Sequence, residues 1–133
     1  MVGPSSEDGA AIVEMAIVLP VLLLILFGII DMGRLLQQHI QLTAAAREGA
    51  RLGALNGTVA EVKTKITSVV GTGVTLTYPT TNGVTVCAAS SPAGTDSVVN
   101  VQRVFQPATP LMAWIARTTP VTITAKGVMS CLG

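Results

Sequence analysis

The apolar residues of this chain are concentrated in one run near its start. Residues 10–30 contain a single charged side chain, Glu14. A membrane-spanning helix needs about 20 consecutive apolar residues, and this run reaches that length only with Glu14 included. The pattern therefore predicts a membrane-spanning helix that carries an acid inside its apolar segment or at its edge.

The same helix is predicted to continue well beyond the membrane, over residues 10–55. From residue 31 onward the sequence becomes polar and rich in alanine, and Asn56-Gly57 supplies a stop signal. Pro20 cannot donate a hydrogen bond to the carbonyl of Ala16, which predicts a kink there. That kink is either structurally neutral or a point where the helix adjusts between membrane and assembled states.

The second half of this helix carries small residues at intervals of four. The presence of Gly49 and Gly53 inside the helix requires an explanation, because glycine there costs about 1 kcal/mol relative to alanine. Small side chains let two backbones approach closely, either against the chain's own sheet or against a helix of another subunit. The residues of this strip are Ala45, Ala46, Gly49, Ala50, Gly53 and Ala54. Nearby charges are expected to pair along the helix, Asp31 with Arg34 and Glu48 with Arg51.

The remaining residues, 56–133, predict a small α+β domain. Thr58 and Glu61 have the spacing of a capping box, and five apolar residues then share one face of a short helix: Val59, Val62, Ile66, Val69 and Val70. Four β-branched segments predict strands of an antiparallel sheet at residues 74–78, 84–88, 97–105 and 121–129. A short helix is expected in TPLMAWIA, between the last two strands. One face of the sheet is expected to pack on both earlier helices.

Composition argues against an enzyme or a nucleic-acid-binding protein. Charged residues make up 11% of the chain and the net charge is +1, so no field of one sign attracts nucleic acid. The chain has one histidine, His39, on the predicted helix, with no potential metal ligand within one turn. No phosphate-binding glycine motif is present. We therefore expect no catalytic residues, no metal and no cofactor.

Gly9 and Glu14 together suggest a chemical reason for the acid. A cut after Gly9 would give Ala10 a free α-ammonium group one helical turn from Glu14. In an apolar surrounding, each charge would offset the burial cost of the other, and the amine of a neighbouring chain would serve equally well and fix the axial register. Alternatively, Glu14 lies at headgroup depth, is protonated, or extends its carboxylate to the interface.

These residues also resemble a known family. A glycine followed five residues later by glutamate, opening an apolar helix, is similar to the processing signature of type IV pilin-like proteins. The fuller string GAAIVEMAIVLPVLLLILFGIIDMGRLL, followed by LTAAAREGARLGAL, resembles the TadE family of the tight-adherence (Tad/Flp) pilus system. The later segments TPLMAWI and VTITAKGVM resemble the end of that family's small domain.

The resemblance implies a non-catalytic minor pilin with three parts. A prepilin peptidase would cut between Gly9 and Ala10 and remove an unstructured leader, residues 1–9. Residues 10–55 would form the transmembrane and stalk helix in the plasma membrane, and residues 56–133 an extracytoplasmic domain. Expected partners are the membrane, the pilus assembly platform and other pilins, in a homo- or hetero-oligomer that supports adhesion. A major filament subunit and a membrane-anchored adhesin or receptor remain alternatives.

On that topology the two cysteines, Cys87 and Cys131, face an oxidising compartment. Two cysteines in an extracytoplasmic domain are most simply joined in one disulfide. Free, half-buried thiols are the alternative. A bond between them would tie the terminal strand to the rest of the domain.

Overall fold

A computed structural model describes residues 6–79, 81, 83–118 and 120–132. Its architecture confirms the predicted α+β class: a long N-terminal helix, a short second helix and a four-stranded antiparallel sheet. The elements in chain order are α1 (Ser6–Ala54), α2 (Val59–Val70), β1 (Leu76–Thr77), β2 (Val84–Thr85), β3 (Asp96–Val104), α3 (Pro110–Thr118) and β4 (Thr122–Ser130).

The long helix α1 starts earlier than predicted. It begins at Ser6 rather than Ala10, so the last part of the expected unstructured leader is helical, while residues 1–5 lie outside the described residues. The helix continues through Pro20.

The predicted end of α1 is confirmed, and its cause is local. Asn56 adopts a positive φ of 62°, and the amide of Gly57 donates to the carbonyl of Leu52 at 3.1 Å. This is the six-to-one hydrogen bond of a Schellman motif, in which an asparagine in the left-handed conformation closes the helix.

Helix α2 begins with the predicted capping box. The Thr58 hydroxyl accepts from the Glu61 amide at 3.3 Å, and the Thr58 amide donates to the Glu61 carboxylate at 2.8 Å. Hydrogen bonds from the Thr58 backbone and side chain hold the pKa of Glu61 below its ordinary value. Three of the predicted apolar residues are buried, Val62, Ile66 and Val70, and Val69 is partly buried. Val59, the first residue of α2, is 38% exposed.

Strand β3 is the centre of the sheet. Strand β4 pairs antiparallel with its whole length, from Asp96 opposite Ser130 to Val104 opposite Thr122. Since a strand has only two edges, β1 and β2 share the other edge end to end, β1 opposite residues 102–103 and β2 opposite residues 98–99. This shared edge is why β1 and β2 are two residues long, shorter than predicted.

The hydrophobic core lies between the second half of α1, α2 and one face of the sheet. Alternate residues of β3, from Ser97 to Arg103, face this core, as the period of two requires. The largest completely buried apolar side chains are Leu42, Val62, Ile66, Val99 and Val101. The domain therefore folds around α1 and leaves the first half of that helix uncovered.

Candidate functional site

The uncovered half of α1 holds the predicted processing and pairing residues. Residues 9–26 are all exposed, among them Gly9, Ala10, Glu14 and Pro20. The helix is long and apolar enough to cross a membrane, and none of its most apolar window is buried against the domain. Large apolar side chains, whose exposure to water is unfavourable, therefore face outward along several turns of the helix.

Glu14 lies in a shallow groove on this exposed helix. The groove is lined by Ala11, Glu14, Met15 and Val18. Within the described residues, no cationic group lies within 4.0 Å of the Glu14 carboxylate. The same continuous helix places Ala10 one turn before Glu14. The Glu14 carboxylate is therefore free to pair with a cation from outside the described, uncut chain.

Glu14 also stands at the start of an exposed apolar stripe. At 100° per residue, side chains separated by steps of three or four residues fall on the same face as Glu14. We call them the apolar ridge: Val18, Val21, Ile25, Ile29, Met32, Leu36 and Ile40. Each is at least half exposed.

The apolar ridge continues beyond the predicted membrane span. Met32, Leu36 and Ile40 follow the run of residues 10–30, yet they are 61%, 59% and 59% exposed. The domain packs on another side of the same helix turns, where Asp31 and Gln38 are buried. The folded chain therefore leaves an apolar strip uncovered on the stalk, beyond the predicted span.

The strip of small residues faces the chain's own domain. Ala45, Ala46, Ala50 and Ala54 are at most 2% exposed, and Gly49 and Gly53 are buried. A Cβ on Gly49 would lie 2.9 Å from Ile66 of α2, and one on Gly53 would overlap the Ser97 hydroxyl of β3. Of the two predicted alternatives, the structure shows packing against the chain's own α2 and sheet.

Asp31 makes structural contacts that the sequence did not predict. Its carboxylate is 1% exposed. Its Oδ1 accepts from the amides of Ala108 at 2.9 Å and Thr109 at 3.2 Å, and its Oδ2 accepts from the Thr109 hydroxyl. The predicted pairing with Arg34 is present only as longer-range attraction, because no nitrogen–oxygen distance between the two side chains is within 4.0 Å.

One signal in the sequence marks the start of α3 as a place where an anionic group such as the Asp31 carboxylate could bind. Thr109-Pro110 is a typical helix start, with threonine before the helix and proline at its first position. Such a start leaves amide groups free to bind an anion. The sequence does not indicate which residue binds these amides, because 77 residues separate Asp31 from Ala108.

The predicted pair of Glu48 with Arg51 is present, with a nitrogen–oxygen distance of 3.9 Å, and Glu48 also lies 3.8 Å from Lys65.

The two cysteines form a disulfide at the end of the domain far from Asp31. The Cα atoms of Cys87 and Cys131 are 5.7 Å apart. The Cys87 amide donates to the carbonyl of Gly53, and the Cys131 amide donates to that of Thr95, each at 3.0 Å. The bond therefore joins the end of β4 to the segment after β2, where that segment meets the last turn of α1.

The apolar ridge, Glu14 and the early glycine all lie in one segment that matches a known family. Residues 9–51 match the family model described as "TadE-like protein". The resemblance predicted from the sequence is thereby confirmed over most of α1. A TadE-like segment suggests a membrane-associated protein related to the Tad pilus. Searches of curated proteins and of solved structures find no match to the chain.

The TadE-like segment presents an exposed apolar surface. It contains Gly9, Ala10, Glu14 and the whole apolar ridge, and it ends at Arg51, in the last turn of α1. Across the described part of the chain, no three His, Cys, Asp or Glu residues are grouped as metal ligands would be. His39 is exposed on the stalk. The arrangement is suited to contact with lipid and with other helices.

Proposed function

We propose that this chain is a non-catalytic minor pilin of a Tad/Flp pilus. A prepilin peptidase removes residues 1–9, residues 10–30 anchor the chain in the plasma membrane, and the domain from residue 56 onward lies outside the cytoplasm. The pilus assembly platform then recruits the processed chain, which joins other pilins through α1 and supports pilus biogenesis and adhesion.

The observation that carries this proposal is the part of the apolar ridge beyond the membrane span. A helix that served only as an anchor would need apolar residues only as far as residue 30. Instead Met32, Leu36 and Ile40 add almost three turns of exposed apolar surface on the stalk. Contiguous exposed apolar surface marks an interaction site, and a ridge of side chains on one helix fits the groove of another helix.

Glu14 supports the same proposal at the other end of the ridge. After cleavage, the Ala10 ammonium of this chain or of a neighbour would supply the cation that Glu14 lacks. Because burying an unpaired carboxylate in the membrane costs at least about 2.5–3.5 kcal/mol, pairing favours one axial offset between adjacent helices. The disulfide of Cys87 with Cys131 agrees with an extracytoplasmic domain, since such bonds persist in oxidising compartments.

Assembly is tested by placing a charge on the ridge and, as a control, beside it. Leu36→Glu puts a carboxylate on the ridge outside the span, and Gln37→Glu puts the same group on the neighbouring exposed face. We expect Leu36→Glu to insert in the membrane normally but to be depleted about tenfold or more from pili and pilin complexes, since burying an unpaired charge costs several kcal/mol. Gln37→Glu should assemble like the parent. Equal recovery of both variants in the pilus fraction would overturn the assembly role of the ridge.

Processing is tested separately at Gly9. In cells that contain the Tad peptidase, the parent chain is expected to begin at Ala10, and Gly9→Leu to retain its leader, both measured by intact mass of the purified membrane protein. Glu14→Ala should insert at least as well as the parent, because a costly charge is removed, but it should assemble poorly. A parent chain that keeps residues 1–9 in its own membrane contradicts the processing step and leaves the anchor intact.

A further inference from the structure

Helix α3 carries an aromatic side chain that the domain does not cover. Trp114, the only tryptophan of the chain, is 70% exposed. Arg117 lies one turn further on the same face of α3 and is also exposed. A tryptophan exposed to this extent in a folded domain is unusual, because its large apolar surface favours burial.

The position of α3 relative to the membrane follows from its contact with α1. Asp31 is the first residue after the apolar run of residues 10–30, so it marks the level at which α1 leaves the hydrocarbon. Its carboxylate binds the amides of Ala108 and Thr109, the two residues directly before α3. Two turns further along α1, the Gln38 side-chain amide donates to the carbonyl of Gln106 at 3.1 Å. Residues 106–109 therefore run along α1 toward the bilayer, and α3 begins at its surface.

The headgroup layer is thick enough to contain this helix. A bilayer of about 40–45 Å with a hydrocarbon core of about 30 Å leaves about 5–8 Å of headgroups on each side. One turn of α1 beyond Asp31 rises about 5.4 Å. The start of α3 thus falls within the headgroup layer on whichever side of the membrane the domain lies.

We propose that α3 is an interfacial helix that binds the membrane surface through Trp114 and Arg117. Tryptophan is enriched at headgroup depth, where its ring contacts acyl chains and its N–H meets polar groups. An arginine on the same helix face can bind lipid phosphate through its guanidinium. The lipid surface, rather than a neighbouring pilin, is the occupant, because Asp31 fixes α3 at bilayer level in each single chain. The proposal needs only insertion of α1 and does not depend on processing or pilus assembly.

The single tryptophan makes this contact directly measurable. The full chain is reconstituted in phosphatidylcholine–phosphatidylglycerol vesicles whose acyl chains carry bromine either near the headgroup or near the bilayer centre. Flotation of the vesicles first establishes that α1 is inserted. We expect headgroup-proximal bromine to lower Trp114 emission about twofold and central bromine to lower it less, as a ring at interfacial depth requires.

A matched control moves the tryptophan to the far end of the domain. Trp114→Phe combined with Leu132→Trp places one tryptophan at a position that is 69% exposed and next to Cys131. Its emission should be that of a ring in water and should respond to neither bromolipid. Floated vesicles in which Trp114 is also water-like would overturn the proposal while leaving the membrane anchor in place. Blue-shifted Trp114 emission without bromolipid quenching would overturn it in favour of a protein partner.

Discussion

At the scale of single residues, Asp31 shows how one buried carboxylate can fix an element that is distant in sequence. It accepts hydrogen bonds from two backbone amides and one hydroxyl at the start of α3. Removing one partner from a buried polar group leaves the other unsatisfied, and that is more costly than the net value of the bond. Asp31 therefore holds residues 106–109 against α1.

Asp31→Ala is expected to release this segment without unfolding the domain. The unsatisfied amides and hydroxyl should lower the free energy of local opening by about 2–3 kcal/mol, measured by hydrogen exchange of the amides of residues 105–113. Glu48→Ala, at an exposed acid of the same helix, is the control. Its ion pairs are solvent-exposed, so the change should stay below about 1 kcal/mol. Equal protection of residues 105–113 in Asp31→Ala and the parent would show that Asp31 does not fix α3.

At the scale of elements, α1 has two faces with different side-chain sizes. Its first half and stalk present the apolar ridge of large residues, whereas residues 45–54 present small residues to the domain. The backbones of α1 and β4 approach closely, since a Cβ on Gly127 would overlap the carbonyl oxygen of Ala46 and lie 2.9 Å from the amide nitrogen of Arg47. The backbone of β4 packs directly on the backbone of α1 at this point, so no side-chain rotation can make room for a Cβ.

Gly127→Ala is therefore expected to separate α1 from β4. We expect a loss of about 3 kcal/mol in the free energy of unfolding, at the upper end of typical overpacking, measured by thermal or urea unfolding in detergent. Gly73→Ala is the matched control, because a Cβ there meets nothing within 4 Å and its φ is not positive. If both alanine variants unfold alike, the close contact of α1 with β4 is not what holds the domain together.

At the scale of the whole molecule, contacts at two levels hold the domain on its helix. Near the membrane, Asp31 and Gln38 bind residues 106–109. At the far end, the disulfide joins Cys87 to Cys131 beside Gly53, the last but one residue of α1. Between these levels lies the core of α1, α2 and the sheet. The domain is thus fixed to the stalk along its length, so a force on the stalk is transmitted to the sheet.

Loss of the disulfide is expected to lower stability while keeping the fold. Residues 87 and 131 are 44 positions apart, and closing a loop of that length is worth about 3–4 kcal/mol in the chain-entropy model. Cys87→Ser combined with Cys131→Ser should unfold at correspondingly lower urea concentration. Reductant should shift the parent to the same midpoint and leave the double variant unchanged. A parent midpoint that reductant does not move would mean that the thiols are not bonded in the native protein.

Local signals in the sequence were sufficient for much of the architecture. The apolar run, the Asn56-Gly57 stop and the capping box of Thr58 and Glu61 each act over a few residues, so they could be read directly. The start of α1 was misplaced because Gly9 was treated as a boundary, although nothing next to it breaks a helix. Periodicity gives the face of α2 but not how far along the helix that face is covered, so it did not show that Val59 would remain 38% exposed.

The sequence by itself determined which segments are helix or strand and that residues 10–30 suit a membrane, since both depend on spacing and on local transfer free energies. The tertiary structure decided which surfaces remain free. It covered the small residues of α1 with the chain's own domain, left Leu36 and Ile40 exposed, and joined Asp31 to Thr109. Those outcomes depend on contacts between distant parts of the chain, whose pairing no local pattern encodes.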